Sequence, residues 1–161
     1  LLKVGALEKR TTTMAYTLQH LESHAAFEAS FELMRVLRPH LTDLDDYVAQ
    51  LQRQAAQGYR LLAAWEGEQV VGLAGYRPLE NLLYGRFIYV DDLVVSPDLQ
   101  RGGLGAQLLS TVRDEALQRG CDHFVLDTGL HMPLAQRFYF RQGLLARGMH
   151  FTQSLQPGSP Q

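Results

Sequence analysis

Apolar positions recur along the chain with two periods, and the switches between them lay out an α/β order. Residues 15–18 fit a short first strand. Ser23 stands at an N-cap position, with Phe27, Phe31, Met34 and Leu37 following at helical spacing and Pro39 closing the segment. Thr42 with Asp45 three residues on resembles a capping box, and Leu44, Tyr47, Val48 and Leu51 mark one face of a second helix that Gly58 ends. Two strands follow, residues 59–65 and 69–76, joined by Glu66-Gly67-Glu68 as a hairpin turn. A looser stretch over 77–85 leads into the longest apolar strand, 86–95, which Ser96-Pro97-Asp98 terminates. A glycine-rich segment then opens a helix over about 103–119, burying Leu104, Leu108, Val112 and Ala116 and stopping at Gly120. Residues 123–127 fit a buried strand, 133–142 a short helix and 144–151 a final strand. The order β-α-α-β-β-β-α-β-α-β predicts a mixed sheet. The helix between Val95 and His123 makes its flanking strands parallel neighbours through a right-handed crossover.

Length and charge narrow the function classes. The chain has 161 residues, 46% of them hydrophobic and 20% charged, which suits one domain. Lys and Arg total 15 against 17 Asp and Glu, a net charge of −2, so the basic excess expected of a nucleic-acid or anionic-membrane binder is missing. Cys121 is the single cysteine, which excludes an intrachain disulfide and a cysteine-rich zinc site. The histidines show no metal-ligand spacing, and no metal is expected. No apolar run is long enough to cross a bilayer and no signal-peptide pattern opens the chain, so a cytoplasmic location is expected. Residues 1–13 precede Met14 and are expected to be a leader outside the fold. The domain is expected over 14–151, with a flexible tail over 152–161 that holds two prolines and few apolar anchors.

The chemistry concentrates in Gln100-Arg101-Gly102-Gly103-Leu104-Gly105-Ala106, between a buried strand and an amphipathic helix. Glycines there let the backbone turn tightly and let a ligand approach. The first amides of the helix have no internal partner, and a phosphate or pyrophosphate suits the place where they converge. Each amide bond to a charged oxygen is worth roughly 1.5–3 kcal/mol, against at most about 2 for the helix dipole. A P-loop would need Gly-Lys-Ser/Thr after its glycines, where Ala106-Gln107 stand. A Rossmann fingerprint would need a third glycine where Leu108 stands, although Asp127 occupies the place of a ribose-binding acid.

Gln100-x-x-Gly103-x-Gly105 resembles the Q/R-x-x-G-x-G/A coenzyme A motif of the GNAT superfamily of N-acetyltransferases. Ala135-Gln136-Arg137-Phe138-Tyr139-Phe140-Arg141-Gln142-Gly143 is similar to that family's A-x-x-F-Y-x-x-x-G segment, and the element order matches as well. One departure is Met132, which stands where the family often has an asparagine; His131 or backbone would have to make that contact. The resemblance implies a mostly antiparallel mixed sheet flanked by helices, with a splayed parallel strand pair at the coenzyme site. It also implies acetyl transfer from acetyl-CoA to a primary amine by direct attack in a ternary complex.

On that basis the coenzyme site comprises the backbone of Leu93, Val94 and Val95, for the thioester oxygen, with Gln100, Arg101, Gly102, Gly103, Leu104, Gly105 and Ala106. Tyr139 matches the family's donor to the departing thiolate. A thiol near pKa 8.5 and a phenol near 10 make full proton transfer uphill by about 1.5 units, so at least partial hydrogen-bond donation is expected. Asp91 and Asp92 are candidates for a base or water-holder, with Asp92 preferred. Adjacent strand residues point to opposite faces, so the two should not share one job. A plain structural role, with an Asp paired to an arginine such as Arg60 or Arg86, competes with that assignment. Arg77, Glu80 and Tyr84, in the loop before the long strand, are further candidates to line the acceptor pocket. A non-catalytic acyl-CoA-binding module on the same fold, and a dinucleotide oxidoreductase, are the competing functions. The acceptor is open between small amines, aminoglycoside-like compounds, amino acids and a protein lysine. An exposed final strand would offer pairing between two copies as a homodimer.

Overall fold

The computed structural model describes residues 16–158; the leader expected over 1–13 lies outside the described residues. The elements run β1 (Thr17–Leu21), α1 (His24–Leu37), α2 (Leu44–Ala56), β2 (Arg60–Glu66), β3 (Gln69–Asn81), β4 (Gly85–Val95), a 3-10 turn (Pro97–Leu99), α3 (Leu104–Gln118), β5 (His123–Leu126) and α4 (Pro133–Arg141). The five strands lie in sequence order, antiparallel except for the parallel β4–β5 pair.

Two cores cover the two faces of this sheet. Phe27, Phe31, Met34, Tyr47, Val48 and Leu51 of α1 and α2 pack with Leu61, Ala63, Leu73 and Val94. Leu104, Leu108, Leu109, Val112 and Ala116 of α3 pack with Leu62, Ala64, Ala74, Tyr76, Ile88 and Val90. The helical periodicity legible in the chain therefore supplies both layers.

Three details depart from the sequence expectations. The cap of α2 is Asp43, not Thr42, and its side chain accepts from the Asp46 amide at 2.8 Å. A carboxylate is favoured there because it also meets the positive end of the helix. The stretch expected to be loose is mostly strand: β3 continues to Asn81, paired with Gly85. Pro78 is accommodated because β2 pairs only as far as Tyr76, so β3 has one neighbour beyond it. Residues 144–151, expected as a final strand, form no regular element among the described residues. A strand needs a neighbour to satisfy its amides, and no described strand pairs with this segment. The strand on which pairing between copies was premised is thus not formed. Residues 152–158 also lack helix or strand and are exposed.

Candidate active site

The site begins where β4 leaves β5. The parallel register runs from Phe87 opposite His123 to Val90 opposite Leu126 and goes no further, while β4 stays paired with β3 to Val95. The Ser96 amide donates to the Val71 carbonyl at 2.8 Å. Counting back by the two-residue alternation of an antiparallel pair, Val94 also turns its amide to β3, and Leu93 and Val95 turn theirs to the gap vacated by β5. The Val95 carbonyl fits this count, because it meets Gln100 Nε2 from the gap side at 3.5 Å. Of the three residues expected to present backbone there, Leu93 and Val95 do so and Val94 does not.

The glycine loop lies at the end of that gap. Arg101 and Gly103 have φ of 70° and 88°, which turns the chain sharply before α3. Arg101 is the one non-glycine residue with positive φ among the described residues, in a conformation that carries a steric penalty. No side chain caps α3. The amides of Arg101, Gly103, Leu104, Gly105 and Ala106 have no acceptor among the described residues, and the first bond into the helix is Gln107 to the Gly103 carbonyl. Gln100, Arg101, Gly102 and Gly103 are exposed, Leu104 is buried in the α3-side core, and Gly105 and Ala106 are half-buried. Among the described residues, nothing beyond its chain neighbours approaches within 4 Å of where a Cβ of Gly103 would sit. Such a row of free donors above open space fits a diphosphate.

Helix α4 closes the other side. A Cβ on Gly105 would lie 3.6 Å from Phe138 Cζ and 3.7 Å from Val95 Cγ2, so α4, α3 and β4 meet at one point. Tyr139 packs beside Phe138, with ring centroids 5.3 Å apart, on the α3 side of the sheet. Its hydroxyl has no hydrogen-bond partner among the described residues, and burial raises its pKa above the ordinary phenol value. Met132 caps α4 without a side-chain hydrogen bond. Gln136 Nε2 instead donates to the carbonyls of Gly129 and Leu130, at 3.1 and 3.2 Å, which fixes the turn ahead of α4. His131 is exposed on that turn.

On the opposite face the acids are arranged differently from the sequence expectation. Gly75 pairs with Asp92 but Tyr76 pairs with Val90, so β4 holds one extra residue at Asp91. Val90 and Leu93 both pack on the α3 side, and the two residues between them both turn to the α1–α2 face. The bulge thus overturns the expectation that Asp91 and Asp92 point apart.

Their partners are also not the arginines expected. Asp92 Oδ1 accepts from Arg38 at the end of α1, at 3.0 Å from Nε, and its Oδ2 accepts from the Tyr59 hydroxyl at 2.8 Å. Arg38 also donates to the Asp91 carbonyl at 2.9 Å, which ties down the bulge. Asp91 Oδ2 accepts from Arg77 Nε at 2.9 Å, and Arg77 donates on to Gln54 of α2 at 3.2 Å. Arg60 pairs instead with Glu115. Arg77, a loop residue by sequence, lies on β3 and does reach this cluster, whereas Glu80 and Tyr84 lie beyond it at the hairpin end. Desolvation outweighs Arg77 at Asp91, and its pKa is raised. Burial, then Asp92, holds the Tyr59 hydroxyl well above the ordinary phenol range, so it remains a donor. Gly75 makes this possible, since a Cβ there would overlap the Tyr59 hydroxyl.

Asp92→Asn should therefore cost stability, about 2 kcal/mol, because its amide group would turn a donor toward Arg38 or the Tyr59 hydroxyl. Asp91→Asn should cost less, since one of its carboxylate oxygens lacks a partner among the described residues. Urea titration of the two variants checks the order.

Tyr59, Arg38 and Gly75 were not legible as site residues. The available signal was the adjacent Asp91-Asp92 pair in an otherwise apolar strand, a break in alternation that a bulge resolves. Among the described residues no group of three or more His, Cys, Asp or Glu is placed to hold a metal ion, and no helix is long and apolar enough to cross a membrane.

The site thus sits on a five-stranded mixed sheet, where a glycine-opened helix without a side-chain cap among the described residues stands at the parting of the parallel pair. Residues 18–144 match the family model of the acetyltransferase (GNAT) family, and the chain belongs to that family of acyltransferases. It is 33% identical over 98 residues to the aminoalkylphosphonate N-acetyltransferase of Salmonella typhimurium, a match covering 60% of this chain and 62% of that protein. It is 29% identical over 125 residues to the IAA acetyltransferase of Azospirillum brasilense, covering 75% and 80%. The fold superposes on the aminoglycoside N-acetyltransferase AAC(6')-Iy, solved with a CoA-containing bisubstrate analog, with a TM-score of 0.75 at 16% identity, over 87% of this chain and 99% of that one.

Proposed function

We propose that the protein transfers an acetyl group from acetyl-CoA to a primary amine by direct attack, with the donor on the α3–α4 side of the gap and the acceptor on the α1–α2 side. The observation that carries this is the pair of free amides, Leu93 and Val95, opening onto a gap with the glycine loop at its end and Phe138, neighbour of Tyr139, beside Val95 and Gly105. Arg101, Gly103, Leu104, Gly105 and Ala106 would hold the diphosphate through backbone amides. Gln100, Gly102 and Val94 shape the loop and strand that present them. The amides of Leu93 and Val95 would receive the thioester oxygen as charge builds on it. The coenzyme supplies an activated thioester.

The Tyr139 hydroxyl donates to the departing sulfur. Because burial raises its pKa, full transfer to a thiolate is further uphill than between the free groups, and donation of a hydrogen bond is the role that remains. Asp91 and Asp92 divide their work. Both oxygens of Asp92 are engaged, so it positions the bulge through Arg38 and Tyr59. Asp91 keeps one oxygen for the acceptor's ammonium or for a water. Its raised pKa means it is neutralised earlier than an exposed aspartate as pH falls, so this contact is lost at a higher pH. Asp91→Asn should raise the KM of the amine about tenfold, as loss of one charge-assisted bond implies, with less effect on kcat.

The acceptor class is set by test. Free-thiol release from acetyl-CoA is measured with an aminoalkylphosphonate, L-lysine, an aminoglycoside and a lysine-containing peptide. Release with one class identifies it. Coenzyme binding without release from any amine would favour the non-catalytic acyl-CoA-binding module.

A further inference from the structure

His150 lies in the irregular segment after α4, yet it is tied to the place where β4 and β5 part. Its Nδ1 is 2.8 Å from Asp127 Oδ2, and the same oxygen accepts the Tyr89 hydroxyl. Asp127 directly follows β5, and the parallel register carried one step past Val90 and Leu126 sets it beside Asp91. Phe124 and Leu126 pack on the α3 side, so Asp127 falls on the opposite face, with Tyr89, Asp91 and Asp92. Two strand residues, about 7 Å, separate Asp91 from Leu93, where the thioester oxygen is placed.

We propose that His150 is the general base of the transfer, with Asp127 and Tyr89 as the positioning residues that hold its ring; this rests on the N-acetyltransferase function proposed for the site. With Nδ1–H donated to Asp127, the other ring nitrogen carries the lone pair, and it has no partner among the described residues. The ring is exposed enough to meet a substrate, its side chain 59% accessible. An alkylammonium near pKa 10.4 loses its proton to an ordinary imidazole uphill by about four units, and to an ordinary carboxylate by about six. Asp91 and Asp92 are already paired with cations, Arg77 and Arg38, whereas the outer ring nitrogen of His150 is unengaged among the described residues. The charges that bear on the Tyr89 hydroxyl are Asp127, Asp91 and Arg38. The imidazolium formed is held by Asp127.

The step balances. His150 Nε2 takes one proton from the ammonium. The freed lone pair forms the C–N bond at the thioester carbon, and the C–S bond breaks. The second proton leaves nitrogen to solvent as the adduct collapses to the amide, and the sulfur departs as a thiolate hydrogen-bonded by Tyr139 and takes up a proton from solvent.

The test uses the full chain, acetyl-CoA and the fastest of the four amines. His150→Gln should lower kcat about a hundredfold, with acetyl-CoA affinity and melting temperature unchanged. Asp127→Asn should lower kcat about tenfold, because the ring loses the acceptor that orients it, and Asp127→Glu should restore most of that loss. Added imidazole should restore the rate of His150→Ala at least tenfold. Wild-type rate in His150→Gln would overturn the proposal, and so would a loss of rate in His150→Ala that added imidazole does not rescue. An active wild type with either result leaves the transferase function standing; no release by the wild type overturns both.

Discussion

Tyr139→Phe should lower turnover about a hundredfold or more, the usual range for losing a donor to a leaving group, while acetyl-CoA binds as before. Two features make the expectation clean. The hydroxyl has no hydrogen-bond partner among the described residues, so its removal leaves no orphaned group, and the ring keeps its packing beside Phe138. Fold stability should therefore be within about 0.5 kcal/mol of the wild type. Steady-state kinetics with free-thiol detection, set beside calorimetric titration of the coenzyme, separates the two quantities. A variant with undiminished kcat would remove Tyr139 from the chemistry.

Gly103→Val should weaken acetyl-CoA binding about a hundredfold. Gly103 has φ 88°, where a β-branched residue pays roughly 1–2 kcal/mol, so the turn would relax away from its present shape. Apart from its chain neighbours, no atom of the described residues lies within 4 Å of the new Cβ, so the side chain would project into the open space beside the loop. Losing one or two bonds to a charged oxygen, each about 1.5–3 kcal/mol, gives an effect of this size at 1.4 kcal/mol per tenfold. The strain itself should lower Tm by only a few degrees. Calorimetry reads the first effect and a thermal melt the second. Equal loss in both would mean the loop had unfolded, and unchanged affinity would place the diphosphate elsewhere.

How much of this could be read from the chain depends on the range over which each feature is determined. Helix α3 and its loop were legible because glycine at a turn and leucines at 3.6-residue spacing act locally. The expected helix over about 103–119 corresponds to Leu104–Gln118, and that over 133–142 to Pro133–Arg141. The parting of β4 from β5 was anticipated through resemblance, while the amides that face it had to be counted from the register. Arg38 lies 54 residues from Asp92 and Tyr59 lies 33, so no local pattern links them. The bulge hides for another reason. It depends on β3 presenting Gly75 to a strand that carries one residue more, which only the paired structure reveals. Residues 144–151 alternate poorly around Gly148, and whether such a segment becomes a strand is decided by the neighbour it finds.

The extra residue at Asp91 makes a single strand serve both sides of the sheet within five positions, acids toward α1 and α2 at 91 and 92, backbone into the gap at 93 and 95. On the proposed assignment the two substrates would enter by separate doors. An acceptor already seated would not bar the coenzyme from coming or going, and spent coenzyme could be exchanged without clearing the opposite entrance.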